Sequence, residues 1–496
     1  AITRDDDTGF RVGFESTTYT PQDDFSLYYG IASDAINVNL LTFRESANED
    51  GFFMLMVQPP ITLSEDQIIP KDVIVVLDQS GSMFGDKWDQ ARAATEYVLN
   101  HLNPEDRFNV IMFSTGWRNF SNQLESPAQV DAAIDWIRSQ EAIGGTDIDA
   151  GMQAALELVD AERPTTILFL SDGVATEGVT DPDEILSNIE DASRPNVRIF
   201  TFGVGDDVDT FLLDAIVRDF RGTGSYVRPT ERVDEEVASL FNKISAPVLT
   251  DISIDFGGLQ VDTVYPGEPL PDLFAGTQLT IVGRYRDTAE GLSITLTGTV
   301  NGEQQTFVYN NFDFPERAGG EPFIARLWAT RRIGELLNSV RLNGENPEVI
   351  DSIVRLSIRY GIITPYTSFL ITEDDILTQS GVDRAAGEFE EQAQALSTNA
   401  SGGAAVDAAD EFAGFSAAEA PAPLAMPTQT AGGEPLDPDS APTNAIQTVN
   451  DKTFIFQGDV WTDTAFQPDT MTTQQIVFLS DEYFALLEST PQLSDY

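Results

Sequence analysis

The most informative part of the chain reads Val73-Ile74-Val75-Val76-Leu77-Asp78-Gln79-Ser80-Gly81-Ser82, an unbroken apolar run that ends in oxygen-bearing side chains. A short run that is apolar at every position is typical of a strand buried on both faces. Similar runs recur at Phe108–Phe113, Thr166–Leu170 and Val197–Val204, and segments of helical period separate them. The pattern predicts an α/β fold, a doubly wound, mostly parallel, Rossmann-like sheet with helices on both faces.

Polar side chains follow two of these strands at the points where the strands end. Asp78, Ser80 and Ser82 follow the first run, Asp172 follows the run that ends at Leu170, and Thr146 precedes a helical segment. The carboxyl ends of parallel strands meet at one edge of a sheet, so we expect these side chains to lie close together. Each piece alone is also common turn or helix-start chemistry. Their shared position favours one site.

The chemistry of this set indicates the ion that it would bind. Two carboxylates and three hydroxyls, without a thiol or an imidazole, suit Mg²⁺, Ca²⁺ or Mn²⁺ and suit Zn²⁺ poorly. The sequence therefore predicts one site for a divalent cation, formed by Asp78, Ser80, Ser82, Thr146 and Asp172.

The charge of the chain limits its partners. Its 28 Lys and Arg residues against 81 Asp and Glu residues give a net charge of −53. Nucleic acid and anionic membrane surfaces are therefore disfavoured partners. No apolar run is long enough to cross a bilayer. The acidic composition fits an ordinary soluble surface, and it also fits an external setting rich in salt or calcium.

The rest of the chain divides by composition. Strand-like patterns return on both sides of the α/β region, and the two β-rich flanks are expected to pack together in a sandwich-like manner. A stretch rich in Ala, Gly, Pro and Ser predicts a flexible linker. The predicted parts are a β-rich segment 1–70, the α/β domain 71–246, a β-rich domain 247–320, helices plus a strand 321–385, the linker 386–447, and a small β/α segment 448–496 with a strand at Gln475–Leu479.

The order Asp78-x-Ser80-x-Ser82, Thr146, Asp172 resembles the metal-ion-dependent adhesion site of von Willebrand factor type A domains. The resemblance covers the whole α/β domain. It implies that Ser80 and Ser82 coordinate the metal directly, and that Thr146 does so depending on the state of the site. Asp78 and Asp172 would act largely through water or hydrogen bonds. It further implies a protein partner that presents an Asp or Glu side chain to the metal.

Segments outside this domain are similar to bacterial relatives of the inter-alpha-trypsin inhibitor heavy chains, at Asp24–Tyr29, Asp50–Leu55 and Tyr360–Ser368. In those relatives a VIT domain precedes the type A domain, and this chain is expected to lack a complete one. The start at Ala1 fits a processed mature protein and a fragment equally well. The resemblance implies a bacterial protein that is secreted or exposed at the cell surface.

Several functions compete at this stage. The first is a metal-dependent adhesion module. The second is a structural subunit whose linker and C-terminal segment dock on a neighbouring copy, which would give a filament or a surface layer. An enzyme that uses Asp78 as a nucleophile is disfavoured, because no lysine or histidine is expected near the motifs and no phosphate loop exists. A subunit of a chelatase-like motor complex is disfavoured by the flanking β segments.

Overall fold

A computed structural model gives the architecture of this 496-residue chain. It describes residues 2–6, 9–12, 36–60, 69–160, 163–300, 302–364, 367, 375–398, 400–422, 445–449, 452–457, 460–490 and 493. The strands are β1 Ile2–Asp6, β2 Gly9–Val12, β3 Asn37–Arg44, β4 Gly51–Gln58, β5 Asp72–Asp78, β6 Arg107–Phe113, β7 Trp117–Asn119, β8 Thr165–Ser171, β9 Val197–Val204, β10 Gly224–Val227, β11 Pro247–Asp255, β12 Val261–Tyr265, β13 Leu273–Phe274, β14 Leu279–Tyr285, β15 Ala289–Val300, β16 Glu303–Phe314, β17 Gly319–Gly320, β18 Ala445–Val449, β19 Lys452–Gln457 and β20 Val460–Asp463. The α-helices are α1 Asp86–Asn100, α2 Val130–Arg138, α3 Ile148–Glu157, α4 Pro182–Ala192, α5 Thr210–Asp219, α6 Val233–Ile244, α7 Phe323–Asn343, α8 Pro347–Tyr360, α9 Gln379–Thr398, α10 Gly403–Ser416 and α11 Asp481–Ser489. Short 3-10 helices cover Gly81–Met83 and Pro127–Gln129.

The central sheet has the strand order β10-β9-β8-β5-β6-β7. All neighbours pair in parallel except β7, which runs antiparallel to β6 at one edge. Every residue of β5 is buried, and its side chains alternate between two cores. Val73, Val75 and Leu77 face one helical layer, whereas Ile74 and Val76 face the other. The prediction of a doubly wound, mostly parallel α/β sheet is confirmed.

Two antiparallel sheets lie outside this domain and share one core. The first has the order β12-β14-β4-β3-β17 and the second the order β13-β11-β15-β16. In the first, β4 pairs with β14 along its whole length, with Leu55 opposite Ile281. One sheet thus contains strands from before and after the α/β domain, which is inserted between β4 and β11.

A buried ion pair fixes the points where the chain enters and leaves the inserted domain. Lys71 Nζ donates to Asp106 Oδ2 at 2.8 Å and to the Ser245 carbonyl at 2.6 Å. The Lys71 and Asp106 side chains are 1% and 0% exposed. Asn103 Nδ2 donates to the same Ser245 carbonyl at 3.0 Å. These contacts join the start of β5 to the end of α6, at the edge of the sheet opposite its carboxyl ends.

The predicted linker 386–447 differs from what the structure shows over much of its length. Residues 386–398 belong to α9, and residues 403–416 form α10. One face of α10 is buried, and it consists mostly of small side chains: Ala405, Val406, Ala408, Ala409 and Phe412. Small residues let helices approach closely, and a search for large apolar residues overlooks such a face. Residues 423–444 lie outside the described residues.

Helix α10 packs against both α7 and the α/β domain. The contact with α7 is close at Gly334. A Cβ at this position would lie only 2.5 Å from the Ser416 nitrogen and 2.7 Å from Phe415 Cβ, so the absence of a side chain allows the approach. On the other side, Arg228 pairs with Asp407 at 2.8 Å and with Asp410 at 2.9 Å. These contacts explain why a segment of this composition is ordered.

The C-terminal part forms a small three-stranded sheet, β18-β19-β20, that lies against α8. Thr464 Oγ1 donates to the Arg359 carbonyl at 2.7 Å. The predicted strand at Gln475–Leu479 is wrong, since these residues form an exposed irregular segment before α11. The strand expected within 321–385 is absent from the described residues 321–364, 367 and 375–385. The similar segment Asp24–Tyr29 lies outside the described residues.

Candidate metal centre

The predicted ligands lie on three loops at the carboxyl edge of the central sheet. Asp78 is the last residue of β5, and Ser80 and Ser82 follow in the turn that leads to α1. Asp172 follows β8 directly. Thr146 precedes α3, but the capping residue of α3 is Asp147, whose carboxylate accepts from Ala150 N at 3.1 Å. Helix capping therefore does not explain the presence of Thr146.

Four of the five side chains share one hydrogen-bond network. Ser80 Oγ lies 2.9 Å from Ser82 Oγ, and Ser82 Oγ donates to Asp172 Oδ1 at 2.7 Å. The Ser80 backbone N–H donates to Asp78 Oδ1 at 2.8 Å. Ser171 Oγ donates to Asp78 Oδ2 at 2.6 Å, a contact that the sequence did not indicate. Both Asp78 oxygens are therefore engaged, and Asp78 is completely buried.

Backbone contacts place Thr146 between the other two loops. Gly81 N donates to the Gly144 carbonyl at 3.0 Å, which joins the Thr146 loop to the serine loop. Thr146 N donates to Thr176 Oγ1 at 2.9 Å, and Thr176 N donates to the Thr146 carbonyl at 2.9 Å. Gly144 adopts a backbone φ angle of +105°, which residues other than glycine rarely adopt. The Gly144-Gly145 pair thus sets the path of this loop.

A lysine enters the centre, contrary to the expectation that none lies near the motifs. Lys87 Nζ donates to Asp172 Oδ2 at 2.7 Å. The Lys87 side chain is 35% exposed, whereas that of Asp172 is fully buried. Lys87 lies in the first turn of α1, only five residues after Ser82, so the sequence offered a signal for it that the expectation overlooked. The two Asp172 oxygens are thus shared between a hydroxyl and an ammonium.

Without a cation, the centre disfavours the ionised form of the Asp78 carboxylate. Burial, with a smaller contribution from the charge of Asp172, raises the pKa of Asp78 to about 6, although hydrogen bonds from Ser171 and Ser80 act in the opposite direction. A cation at the centre would favour the ionised form of both carboxylates. Within the described residues, no group of three or more His, Asp or Glu side chains converges as a metal site, and this centre combines its two carboxylates with hydroxyls instead.

Large apolar side chains surround the centre and face solvent. Phe84 is 81% exposed, Ile143 66%, Trp117 45% and Val174 39%. Each lies in or next to a loop of the centre, and Thr115 Oγ1, two residues from Trp117, accepts from Gly145 N at 3.0 Å. We call these four residues the metal face. The sequence interpretation missed them, although Phe84 and Val174 follow the motifs within two residues.

Comparisons with known proteins show which proteins this chain is similar to. The chain is 30% identical to human inter-alpha-trypsin inhibitor heavy chain H6 over 332 residues, which cover 61% of this chain and 25% of that protein. It is 27% identical to human heavy chain H4 over 355 residues, 67% of this chain and 38% of that protein. The chain therefore matches well under half the length of these relatives. A structure titled von Willebrand factor type A from Catenulispora acidiphila is similar with a TM-score of 0.49 and 14% identity, covering 74% of this chain and 99% of that one.

The family comparison places the central domain. Residues 72–231 match the family model described as von Willebrand factor type A domain, and this range contains all five predicted ligands. Together with the sheet order and the homologous heavy chains, the match identifies residues 72–231 as a von Willebrand factor type A domain, in a chain homologous to the inter-alpha-trypsin inhibitor heavy chains.

Proposed function

We propose that this protein is an extracellular or cell-surface interaction module that uses one divalent cation to bind an acidic side chain of a protein partner. Ser80, Ser82 and Thr146 would hold the cation, with Asp78 and Asp172 behind them. The observation that supports this proposal most strongly is the Ser80–Ser82–Asp172 network at the carboxyl edge. Von Willebrand factor type A domains are protein-interaction modules, which agrees with this assignment.

The spacing of the two serine hydroxyls suits a small cation. Neighbouring ligands in an octahedron of Mg²⁺ at ~2.1 Å are separated by about 3.0 Å, and those around Ca²⁺ at ~2.4 Å by about 2.8–3.4 Å, depending on whether it has seven or six ligands. The Ser80 and Ser82 oxygens are 2.9 Å apart, a distance that also fits their hydrogen bond. Ser82 donates its proton to Asp172 and therefore accepts the hydrogen bond from Ser80, which leaves one lone pair of Ser82 for a cation. We therefore expect the site to accept Mg²⁺, Ca²⁺ or Mn²⁺.

The charge of the centre explains how it could attract an acid on so acidic a chain. Asp78, Asp172 and Lys87 together carry one net negative charge when both carboxylates are ionised. A bound dication would reverse the sign and leave one positive charge. The net charge of −53 repels acidic partners at long range, but this repulsion is screened beyond about 8 Å at physiological salt. The metal-bound centre would be a small positive region on an otherwise acidic surface.

Binding fits the geometry of the centre better than catalysis does. A nucleophilic Asp78 would need an accessible oxygen, whereas both of its oxygens accept hydrogen bonds and the residue is 0% exposed. Lys87 is the nearest general acid, and its ammonium is held by Asp172. We therefore propose no enzymatic activity for this centre.

The proposed location outside the cell rests on the acidic composition and on the homology to heavy chains. Within the described residues, no helix combines the length and the apolar character needed to cross a membrane.

The proposal can be tested with an array of peptides that contain Asp or Glu, each paired with its Asn or Gln counterpart. We expect the wild-type protein to bind acidic members in Mg²⁺ and to release them in EDTA. Ser82→Ala and Asp172→Asn should lose this binding, whereas Asp131→Asn, the same charge change at an exposed position of α2, should keep it. Equal binding to the amide counterparts, or binding that survives EDTA, would refute the proposal.

A further inference from the structure

All but one of the large apolar side chains that are exposed in the described residues fall into two groups. The first is the metal face. The second lies within residues 460–493, which we call the C-terminal segment, and includes Val460, Trp461, Met471, Val477, Phe478, Leu479, Phe484 and Leu493. Val308 alone, on β16, belongs to neither group. Exposed apolar clusters of this kind mark surfaces that another molecule covers.

The distal half of the C-terminal segment stands apart from the rest of the structure. Its helix α11 has no buried residue. The rings of Phe478, Tyr483 and Phe484 contact one another, with centroids 5.1 and 5.5 Å apart. Among the described residues of 477–493, the hydrogen bonds join members of the same stretch. The chain is tied down just before it, where Asp469 accepts from Gln379 N at 2.9 Å.

Acidic residues adjoin this aromatic cluster. Asp481 and Glu482 are exposed in the first turn of α11, next to Phe478 and Tyr483 in space. The stretch therefore presents carboxylates surrounded by apolar side chains. The metal face presents the complement, a cation site surrounded by exposed apolar side chains. On a chain of net charge −53, most other surfaces would repel such a stretch.

We propose that residues 477–489 of one copy dock on the metal face of a second copy. A carboxylate of Asp481 or Glu482 would reach the cation, and the aromatic cluster would cover Phe84, Ile143 and Val174. This inference rests on the proposed metal binding and names the partner of that site. The two surfaces differ, so the contact is head-to-tail and yields open chains or closed rings.

Complementation between two variants tests this geometry. Phe84→Ser impairs the metal face but retains the C-terminal segment. Phe478→Ser combined with Leu479→Ser impairs the segment but retains the metal face. All three side chains are exposed, so the substitutions should leave folding and Mg²⁺ binding intact, which circular dichroism and calorimetry will verify. Val308→Ser is the matched control outside both surfaces.

Sedimentation velocity in Mg²⁺ and in EDTA, at about 0.15 M salt to screen self-repulsion, gives the outcome. We expect the wild type and Val308→Ser to assemble in Mg²⁺ and to dissociate in EDTA. Each impaired variant alone should be monomeric, with association at least tenfold weaker, and their equimolar mixture should form only dimers. Asp481→Asn combined with Glu482→Gln should also be monomeric.

The possible failures are distinguishable. If calorimetry detects no Mg²⁺ binding, the proposed function itself fails. If Mg²⁺ binds but the wild type remains monomeric, or assembles equally well in EDTA, only the head-to-tail inference is overturned. Assembly of either impaired variant by itself, or a mixture that stays monomeric, overturns it as well.

Discussion

Lys87 provides the sharpest test of the electrostatics of the centre. Its ammonium lies 2.7 Å from Asp172 Oδ2, so a cation in the network of Ser80, Ser82 and Asp172 would be close to a like charge. Lys87→Met removes that charge and keeps most of the apolar stem of the side chain. We therefore expect the variant to bind Mg²⁺ more tightly than the wild type.

The magnitude follows from the exposure of the pair. A unit charge and a dication about 4 Å apart interact by roughly 8 kcal/mol at an effective dielectric constant of 20. The Lys87 side chain is 35% exposed, so solvent screening reduces this value considerably. A net gain of about 1.4 kcal/mol, or about tenfold in the dissociation constant, is a reasonable expectation. The metal-free variant should at the same time be less stable to unfolding than the metal-free wild type, because the buried Asp172 carboxylate loses the Lys87 ammonium as its partner.

Titration calorimetry with Mg²⁺ at neutral pH measures this effect. Lys243→Met is the matched control, since Lys243 is exposed near the end of α6, two residues before Ser245 at the opposite edge of the sheet. It should bind Mg²⁺ like the wild type. An affinity of Lys87→Met that is equal to or weaker than that of the wild type would refute the argument, because Lys87 would then support the cation rather than oppose it.

Three further predictions concern folding and pH. Lys71→Met leaves the buried Asp106 carboxylate without its partner and should lower the free energy of unfolding by about 3–5 kcal/mol in urea titrations. Gly334→Ala places a Cβ against α10 and should destabilise by about 1–3 kcal/mol, whereas Gly387→Ala, a helical site with open space, should stabilise by about 0.5–1 kcal/mol. The pKa of Asp78 is raised to about 6, so the metal-free folded state keeps a proton that the unfolded state releases near pH 4. Stability of the metal-free protein should therefore fall as pH rises from about 4 to 6, and Mg²⁺ should raise the melting temperature more at pH 7.5 than at pH 5.

Each of these predictions has a contrary result. A Lys71→Met protein as stable as the wild type would mean that the unpaired, buried Asp106 carboxylate does not destabilise the fold. Equal effects of the two glycine substitutions would remove the argument for close packing of α10 on α7. A Mg²⁺-induced shift in melting temperature that does not depend on pH would show that Mg²⁺ binding is not coupled to the ionisation of Asp78.

The sheet, and the position of Asp78 and Asp172 at one of its edges, could be predicted because their signals are local. Val73–Leu77 is apolar at every position since β5 is buried on both faces, and the polar residues follow where that strand ends. The parallel arrangement then brings Asp78 and Asp172 to one edge without further information. The sequence also indicated strands before and after the domain, and β4 pairs with β14 in the structure.

Features that depend on spatial neighbours could not be predicted in this way. Lys87 reaches Asp172 across 85 positions of sequence, and only the placement of α1 beside β8 reveals the pair. Helix α10 is ordered because Gly334 admits it against α7, whereas its alanine-rich composition by itself suggested a linker. The metal face combines residues from separate loops, so no single stretch of sequence displays it.

The most direct test of the central claim is a crystal structure of the protein soaked in Mn²⁺, with anomalous difference density as the measurement. The account predicts one strong peak about 2.1–2.2 Å from Ser80 Oγ and Ser82 Oγ, at the carboxyl end of β5. A map without a peak there, in crystals where Lys87 and Ser82 retain their hydrogen bonds to Asp172, would contradict it.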